Sequence, residues 1–164
     1  MFKHVLVPLD QSQLAETALD YVPKLVGPGS QITLLTVIVP PDLSFGTLYG
    51  PTELMVQTIR NSEVQYESLE RQTRVQAEDY LRGASKRLAA RLPDNPIQII
   101  VQAGQDAEVI VESAESLDAD VIVMATHGRS GLSRWLLGSV TQKVLSAAPC
   151  PVLVIPNRTM HKED

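Results

Sequence analysis

Short apolar runs and longer amphipathic stretches alternate along the chain. Five runs are almost continuously apolar: residues 5–9, 32–39, 97–101, 121–124 and 152–155. A strand that is apolar at nearly every position is typical of a sheet covered on both faces, because both of its sides are then buried. The pattern therefore predicts five buried strands.

Helical spacing separates these runs. Apolar residues recur every three or four positions in four stretches: residues 14–25, 53–91, 106–117 and 140–147. Asp10 or Ser12 can cap the first helix, Pro23 is expected to bend or shorten it, and Gly27-Pro28-Gly29 is expected to end it. Residues 53–91 fit one long helix, or two joined near Ser62, with the charged residues on a solvated face.

Two segments follow neither pattern. Residues 42–52 are rich in glycine, proline and aromatic residues, which indicates an irregular loop. Residues 157–164 are polar, and we expect them to form a tail after a single domain that spans residues 1–156.

The alternation of strands and helices predicts an α/β fold, a three-layer sandwich around a parallel, doubly wound sheet. In such folds ligands bind beyond the carboxyl ends of the strands, where the strand order reverses. Asp10 and residues 125–128 lie at two such strand ends and are the first candidates for a site.

Bulk composition narrows the choice of partners. The 164 residues carry a net charge of −5, with lysine and arginine scattered rather than clustered, so nucleic acid is not an expected partner. No apolar stretch approaches the length of a membrane span, and residues 1–10 lack the apolar core of a signal peptide, so we expect no membrane association and a cytoplasmic location.

The cysteine and the histidines do not indicate a catalytic site or a metal site. Cys150 is the single cysteine, and its place between two prolines beside an apolar run favours a small buried residue over a nucleophile. His4, His127 and His161 show no metal-ligand spacing, and no Ser-His-Asp arrangement is visible, so we expect neither a protein metal site nor a catalytic residue.

A glycine-rich stretch after the fourth strand carries the strongest functional signal. Gly128, Arg129, Ser130 and Gly131 follow an apolar run, and nine residues separate Gly128 from Gly138 and Ser139, which precede a helix. Glycines allow close backbone approach, and the start of a helix presents unpaired N–H groups to an anion. The pattern indicates a phosphate site, although it is neither a P-loop nor G-x-G-x-x-G.

The spacing Ala125-x2-Gly128-x9-Gly138-Ser139 resembles the G-x2-G-x9-G-[S/T] signature of the universal stress protein family, in its nucleotide-binding branch. The resemblance extends to VLVPLD, ITLLTVIV, Gly104 ahead of a helix, VIVMATHGRSG and PCPVLVIP. It implies a five-stranded parallel sheet of order 3-2-1-4-5, an adenine nucleotide alpha hydrolase-like fold, with ATP in the crevice between the first and fourth strands.

The same resemblance assigns roles by position. Asp10 would lie near the ribose, Pro8 near the base, and the backbone of Val37 against adenine. The phosphates would be surrounded by Gly128, Gly138, Ser139 and Val140, with Arg129, Ser130 and Gly131 in the same loop. Ala125 stands where the signature has its first glycine; its methyl group either crowds the nucleotide or is accommodated where φ is negative.

The resemblance to this family also implies a function. It implies a homodimer that pairs through residues 152–155 and binds ATP, AMP or ADP, with Mg²⁺ or Mn²⁺ on the phosphates, as a signalling or protective module in stress response. Slow ATP hydrolysis and a nucleotide-free adaptor that acts through residues 42–91 stay open as alternatives. A further hypothesis is that residues 45–49 close over the nucleotide.

Overall fold

The computed structural model describes residues 1–39, 53–126 and 137–156, and it describes the backbone alone for residues 53–67. Its elements, in chain order, are β1 (Phe2–Pro8), α1 (Gln13–Glu16), a 3₁₀ turn (Thr17–Asp20), α2 (Val22–Leu25), β2 (Val26–Ile38), α3 (Glu53–Ala89), β3 (Ile97–Ala103), α4 (Asp106–Ser116), β4 (Val121–Thr126), α5 (Ser139–Ala147) and β5 (Val152–Pro156).

The five strands form one parallel sheet in the order β3-β2-β1-β4-β5. This order confirms the fold predicted for the chain. β1 lies at the centre, and the chain moves to one side of it through β2 and β3 and to the other side through β4 and β5. The reversal occurs between β1 and β4, which is where a doubly wound sheet opens a crevice.

Two apolar layers cover the sheet. On one face, Val5, Val7 and Leu34 pack against the helical segments after β1 and against Leu81 of α3. On the other face, Leu6, Leu35 and Ile122 pack against α4 and α5. Neighbouring residues of a strand thus contribute to opposite cores, which is why the strands are apolar at almost every position.

The first helical region differs from the prediction of one helix over residues 14–25. It consists of α1, a 3₁₀ turn and α2, and Pro23 lies in the first turn of α2. Proline suits a first turn because its missing N–H has no helical partner there. Pro23 therefore belongs to the start of a short helix rather than to a bend within a longer one.

The Gly27-Pro28-Gly29 segment lies inside β2, not ahead of it. The register between β1 and β2 shifts here, from Phe2 opposite Val26 to His4 opposite Gln31. Asn95 stabilises this irregular part of the strand, because its side-chain amide donates to the carbonyls of Gly27 and Ser30 at 2.7 and 2.8 Å. The extra residues are thus held in the strand by side-chain hydrogen bonds.

The long charged stretch forms one helix, α3, of 37 residues, which decides between the two alternatives for this region. Within the described part of the chain, no helix is both long and apolar enough to cross a membrane. The proposed loop at residues 42–52 and the tail at residues 157–164 lie outside the described residues.

His4 is a buried structural residue. Its Nδ1 lies 2.9 Å from the carbonyl oxygen of Leu117, and its Nε2 lies 2.8 Å from Oγ1 of Thr33. A carbonyl oxygen can only accept, so Nδ1 carries the hydrogen and Nε2 accepts from the Thr33 hydroxyl. The ring therefore ties the centre of the sheet to the end of α4.

We expect Thr33→Val to lower the free energy of unfolding by about 1 to 3 kcal/mol, because a buried ring nitrogen loses its donor. Urea denaturation measures this difference. Thr73→Val is the matched control, since the Thr73 hydroxyl donates to a helix carbonyl in an exposed position. Equal effects of the two changes would contradict the role of His4.

We expect Gly104→Ala to destabilise the fold by about 1 to 3 kcal/mol, because a side chain at its φ of +150° is strained and would lie 2.6 Å from Cγ2 of Val109. Gly83→Ala, inside α3 and six residues before its end, meets only the end of Arg87 at 3.6 Å and should stabilise by about 0.5 to 1 kcal/mol. Thermal unfolding of both variants checks the opposite signs, and the same sign for both would be inconsistent with this geometry.

Candidate functional site

A cavity of about 230 Å³ opens at the carboxyl ends of β1, β2 and β4. The starts of α4 and α5 complete its wall. The lining residues are Pro8, Leu9, Asp10, Ala15, Leu35, Val37, Asp106, Ile110, Met124, Ala125, Thr126, Gly138, Ser139, Val140 and Thr141. The cavity therefore occupies the crevice at which the strand order reverses.

The turn after β1 places Asp10 at the cavity. Gln11 adopts a left-handed backbone conformation with φ of 66°, which turns the chain sharply away from the strand. The Ser12 N–H donates to Oδ1 of Asp10 at 3.0 Å, and the Ser12 hydroxyl accepts from the Ala15 N–H at 3.0 Å. Ser12 is thus the cap of α1, and Asp10 supports the turn from the edge of the cavity.

The end of β2 presents main-chain groups to the cavity. In a parallel sheet the N–H and C=O of one residue point to one neighbouring strand, and those of the next residue point to the other. Leu35 faces β1, since its carbonyl accepts from the Leu9 N–H at 2.7 Å, and Ile38 faces the β3 side, since its carbonyl accepts from the Gly104 N–H at 2.9 Å. Val37 therefore directs its N–H and C=O toward β1, beyond the last β1–β2 pair, Pro8 with Leu35.

The start of α5 forms the opposite end of the cavity. Gly138 is the N-cap residue, with φ of −59° and ψ of 152°, and no side chain of the described residues caps the helix. The Gly138 N–H donates to Oγ1 of Thr126 at 3.3 Å, which joins the helix start to the end of β4. The residues of the first turn line the cavity, and their N–H groups lack a capping oxygen from the described side chains, as in helix N-termini that bind anions.

Ala125 fits the site without backbone strain. Among the described residues, positive φ values outside glycine occur at Gln11 and Asp118, so the backbone of Ala125 does not require glycine. Its side chain packs against the core cluster that contains Val123. The backbone thus accommodates a methyl group, and the effect of this group on a bound nucleotide stays a prediction, since Ala125 also lines the cavity.

The described lining of the cavity is acidic. It contains two carboxylates, Asp10 and Asp106, and neither lysine nor arginine. Burial, followed by the negative charge of Asp10, raises the pKa of the Asp106 carboxyl above its ordinary value. Nothing among the described side chains amounts to a cluster of three metal ligands.

The structure brings seven of the predicted site residues to this one cavity: Pro8, Asp10, Val37, Ala125, Gly138, Ser139 and Val140. The other four, Gly128, Arg129, Ser130 and Gly131, lie outside the described residues, as do His127 and His161. The roles of these eleven residues toward a nucleotide stay predictions.

Sequence reasoning missed two polar lining residues, Asp106 and Thr141, and included Thr126 only as part of the strand end at residues 125–128. Asp106 was detectable, because it lies four positions before Ile110 and so shares the buried face of a helix. Thr126 continues the alternation of Ile122 and Met124, because β4 extends two residues past the predicted run of residues 121–124.

Comparison with known proteins identifies relatives over almost the whole chain. Residues 1–156 match the model of the universal stress protein family. Universal stress protein MJ0577 of Methanocaldococcus jannaschii is 30% identical over 165 residues, which cover 96% of this chain and 97% of the relative. The solved structure of MJ0577 covers 96% of this chain and 98% of its own, with a TM-score of 0.75 and 28% identity.

More distant structures share the fold. A universal stress protein solved in complex with cAMP is 19% identical, with a TM-score of 0.61 and coverage of 94% and 97%. An Arabidopsis thaliana protein of the family with AMP bound is 17% identical, with a TM-score of 0.53 and coverage of 96% and 93%. From the family match and the full-length relative, the chain belongs to the universal stress protein family.

Proposed function

We propose that this protein binds an adenine nucleotide, ATP or its products AMP and ADP, in the cavity at the carboxyl edge of the sheet. The observation that carries the proposal is that seven predicted site residues, from three strand ends and one helix start, line a single cavity. Strand ends supply main-chain groups for a base, and a helix start supplies N–H groups for phosphate.

The base and the ribose bind at the end formed by β1 and β2. Val37 offers an N–H donor and a carbonyl acceptor in the plane of the sheet, which matches the acceptor nitrogen and the amino group on the edge of adenine. Pro8 lies beside this edge, on the cavity wall, and packs against the base. The Asp10 carboxylate accepts hydrogen bonds from the ribose hydroxyls.

The phosphates bind at the start of α5. The N–H groups of its first turn and the hydroxyl of Ser139 donate to phosphate oxygens, and the positive end of the helix dipole favours the negative charge. Gly128, Arg129, Ser130 and Gly131 complete this end of the site in the proposal. Because Asp10 and Asp106 make the described lining acidic, Mg²⁺ or Mn²⁺ on the phosphates balances the charge of a bound triphosphate.

Family membership supports the same ligand class, since relatives of the same fold have been solved with cAMP and with AMP. As a member of this family, the protein acts in the cytoplasm as a dimeric, nucleotide-dependent module of stress response. A binding role suits the site better than efficient catalysis, because its described polar side chains hold no general base with an adjacent orienting group.

The dimer forms through β5, which pairs with β4 and lies at one edge of the sheet. The carbonyl of Pro151 accepts from the Ile122 N–H at 3.0 Å and so faces β4. By alternation, Leu153 faces β4, whereas Val152 and Val154 direct their main-chain groups to the open edge. A second copy that pairs in the antiparallel direction satisfies these groups.

Nucleotide binding is tested by calorimetric titration with ATP and magnesium, and by native mass spectrometry of freshly purified protein. We expect Ser139→Ala to weaken ATP binding about tenfold or more, because a hydrogen bond to a charged phosphate is lost. Ser146→Ala is the matched control on the same helix, since the Ser146 hydroxyl donates to the carbonyl of Gln142. The absence of both a co-purified nucleotide mass and a binding heat at millimolar ATP would contradict the proposal. That result would favour a nucleotide-free adaptor.

The dimer is tested by light scattering of the wild type and of Val154→Pro. Proline removes an N–H that faces the open edge and leaves the bonds to β4 in place, so we expect the mass to fall from twice 17.9 kDa to 17.9 kDa. Val154→Ala keeps the N–H and should leave the dimer intact. A dimer that persists in the proline variant, or a monomeric wild type, would argue against this interface.

A further inference from the structure

Asp106 places a charge on the apolar face of α4. Asp106, Ile110 and Ala114 are spaced four residues apart and share that face of the helix. Ile110 and Ala114 are buried in the core under α4, whereas Asp106 lines the cavity and is partly buried. A carboxylate at the top of a buried helical face is costly unless a partner compensates it.

The connection between β3 and α4 holds Asp106 near the end of β2. Ala103 pairs with Ile38, and the N–H of the next residue, Gly104, donates to the Ile38 carbonyl at 2.9 Å. Asp106 follows two residues later as the first residue of α4. The side chains of Val37 and Ile110 pack in the same apolar cluster, so the helix start lies over the strand end that carries Val37.

The base end of the cavity therefore combines a backbone donor and acceptor with a side chain that can only accept. Val37 supplies one N–H and one C=O, and the ionised carboxylate of Asp106 adds acceptor oxygens. A 6-amino purine carries two hydrogens on its exocyclic nitrogen, one for a carbonyl and one for a carboxylate. A 6-oxo purine presents an oxygen to the same two acceptors and is repelled.

We propose that Asp106 selects the base: its carboxylate accepts a hydrogen bond from the exocyclic amino group of adenine and excludes 6-oxo purines. This inference rests on the proposed binding of an adenine nucleotide in the same cavity. It adds a specificity-determining side chain to a base site otherwise built from the main chain.

The electrostatic environment of Asp106 is consistent with this role. Burial and the negative charge of Asp10 both disfavour its ionised form and raise its pKa. A ligand that donates a hydrogen to the carboxylate offsets this penalty, whereas a ligand oxygen adds to it. The carboxylate thus favours a 6-amino purine and also disfavours a 6-oxo purine.

A purely structural role for Asp106 is the main alternative. Acidic residues in the first turn of a helix interact favourably with its dipole, and Asp106 and Glu108 both lie in the first turn of α4. Glu108 is exposed and does not line the cavity. Replacement of Glu108 therefore removes the same charge from the same turn without a change at the base site.

The test compares the affinities of ATP and inosine triphosphate, which differ at the 6-position of the purine, by calorimetric titration of the full chain with magnesium. We expect the wild type to bind ATP about tenfold or more tightly than inosine triphosphate, as a hydrogen bond to a charged group implies. Asp106→Asn carries an amide that can also donate to a 6-oxo group, so the preference should fall about threefold or more, while the main-chain donor and acceptor of Val37 keep the remainder. Glu108→Gln should keep the wild-type preference.

The outcomes separate this inference from the function on which it rests. Equal affinities of the wild type for the two nucleotides, or an unchanged preference in Asp106→Asn, would overturn the role of Asp106 and leave nucleotide binding intact. If Glu108→Gln also lost the preference for ATP, the preference would be assigned to the helix dipole. That outcome would likewise overturn the role of Asp106. Binding of neither nucleotide by the wild type would overturn the proposed function, and the inference with it.

Discussion

A strand that ends before its neighbours leaves main-chain groups without partners, and the cavity of this protein is built on that constraint. The β1–β2 ladder ends at Pro8 and Leu35, whereas β2 continues to Ile38. Parallel strands all end at the same edge, so unpaired groups of adjacent strands collect there. Burial without a partner is costly for such groups, and at this edge they face the cavity, where water or a ligand can pair with them.

The two apolar layers hold this edge in place. Because neighbouring residues of β1 face opposite cores, the strand is packed on both sides, and its end has little freedom to move. The sharp turn at Gln11, the cap at Ser12 and the contact of Gly138 with Thr126 then fix the cavity wall relative to the sheet. The wall is thus formed by short-range hydrogen bonds on a framework of long-range packing.

Charge at the cavity is balanced between carboxylates and helix ends. Asp10 and Asp106 give the described lining a negative character, and the uncapped start of α5 supplies a positive end of a dipole. The Asp106 carboxylate and the positive end of α5 lie at different ends of the cavity, because α4 starts beside β2 and α5 starts beside β4. A ligand with a donor-bearing base and an anionic tail matches this polarity, which is why a nucleotide is the proposed occupant.

Most of the architecture was predictable from local pattern. Unbroken apolar runs and helical spacing were enough for five strands and their class of sheet, and strand ends with the glycine spacing indicated Asp10, Ala125, Gly138 and Ser139. Pro8, Val37 and Val140 were assigned to the site only by the resemblance to a family. The strand order came from the resemblance to a family, since apolar periodicity does not distinguish one parallel order from another. Two local expectations differ from the structure: Pro23 lies in the first turn of a separate short helix, and the Gly27-Pro28-Gly29 segment lies within β2, held by Asn95 from a distant loop.

The sequence by itself determined the alternation of elements, the apolar core and the places where the chain could leave the sheet, because these depend on residues near one another along the chain. Only the tertiary structure decided that Asp106 lies at the cavity, that the backbone of Ala125 does not require glycine, and that Val37 directs its main-chain groups beyond the end of β1. Each of these depends on the register of strands and on contacts between segments tens of residues apart. Such contacts are set by how the whole core packs, and no local pattern encodes them.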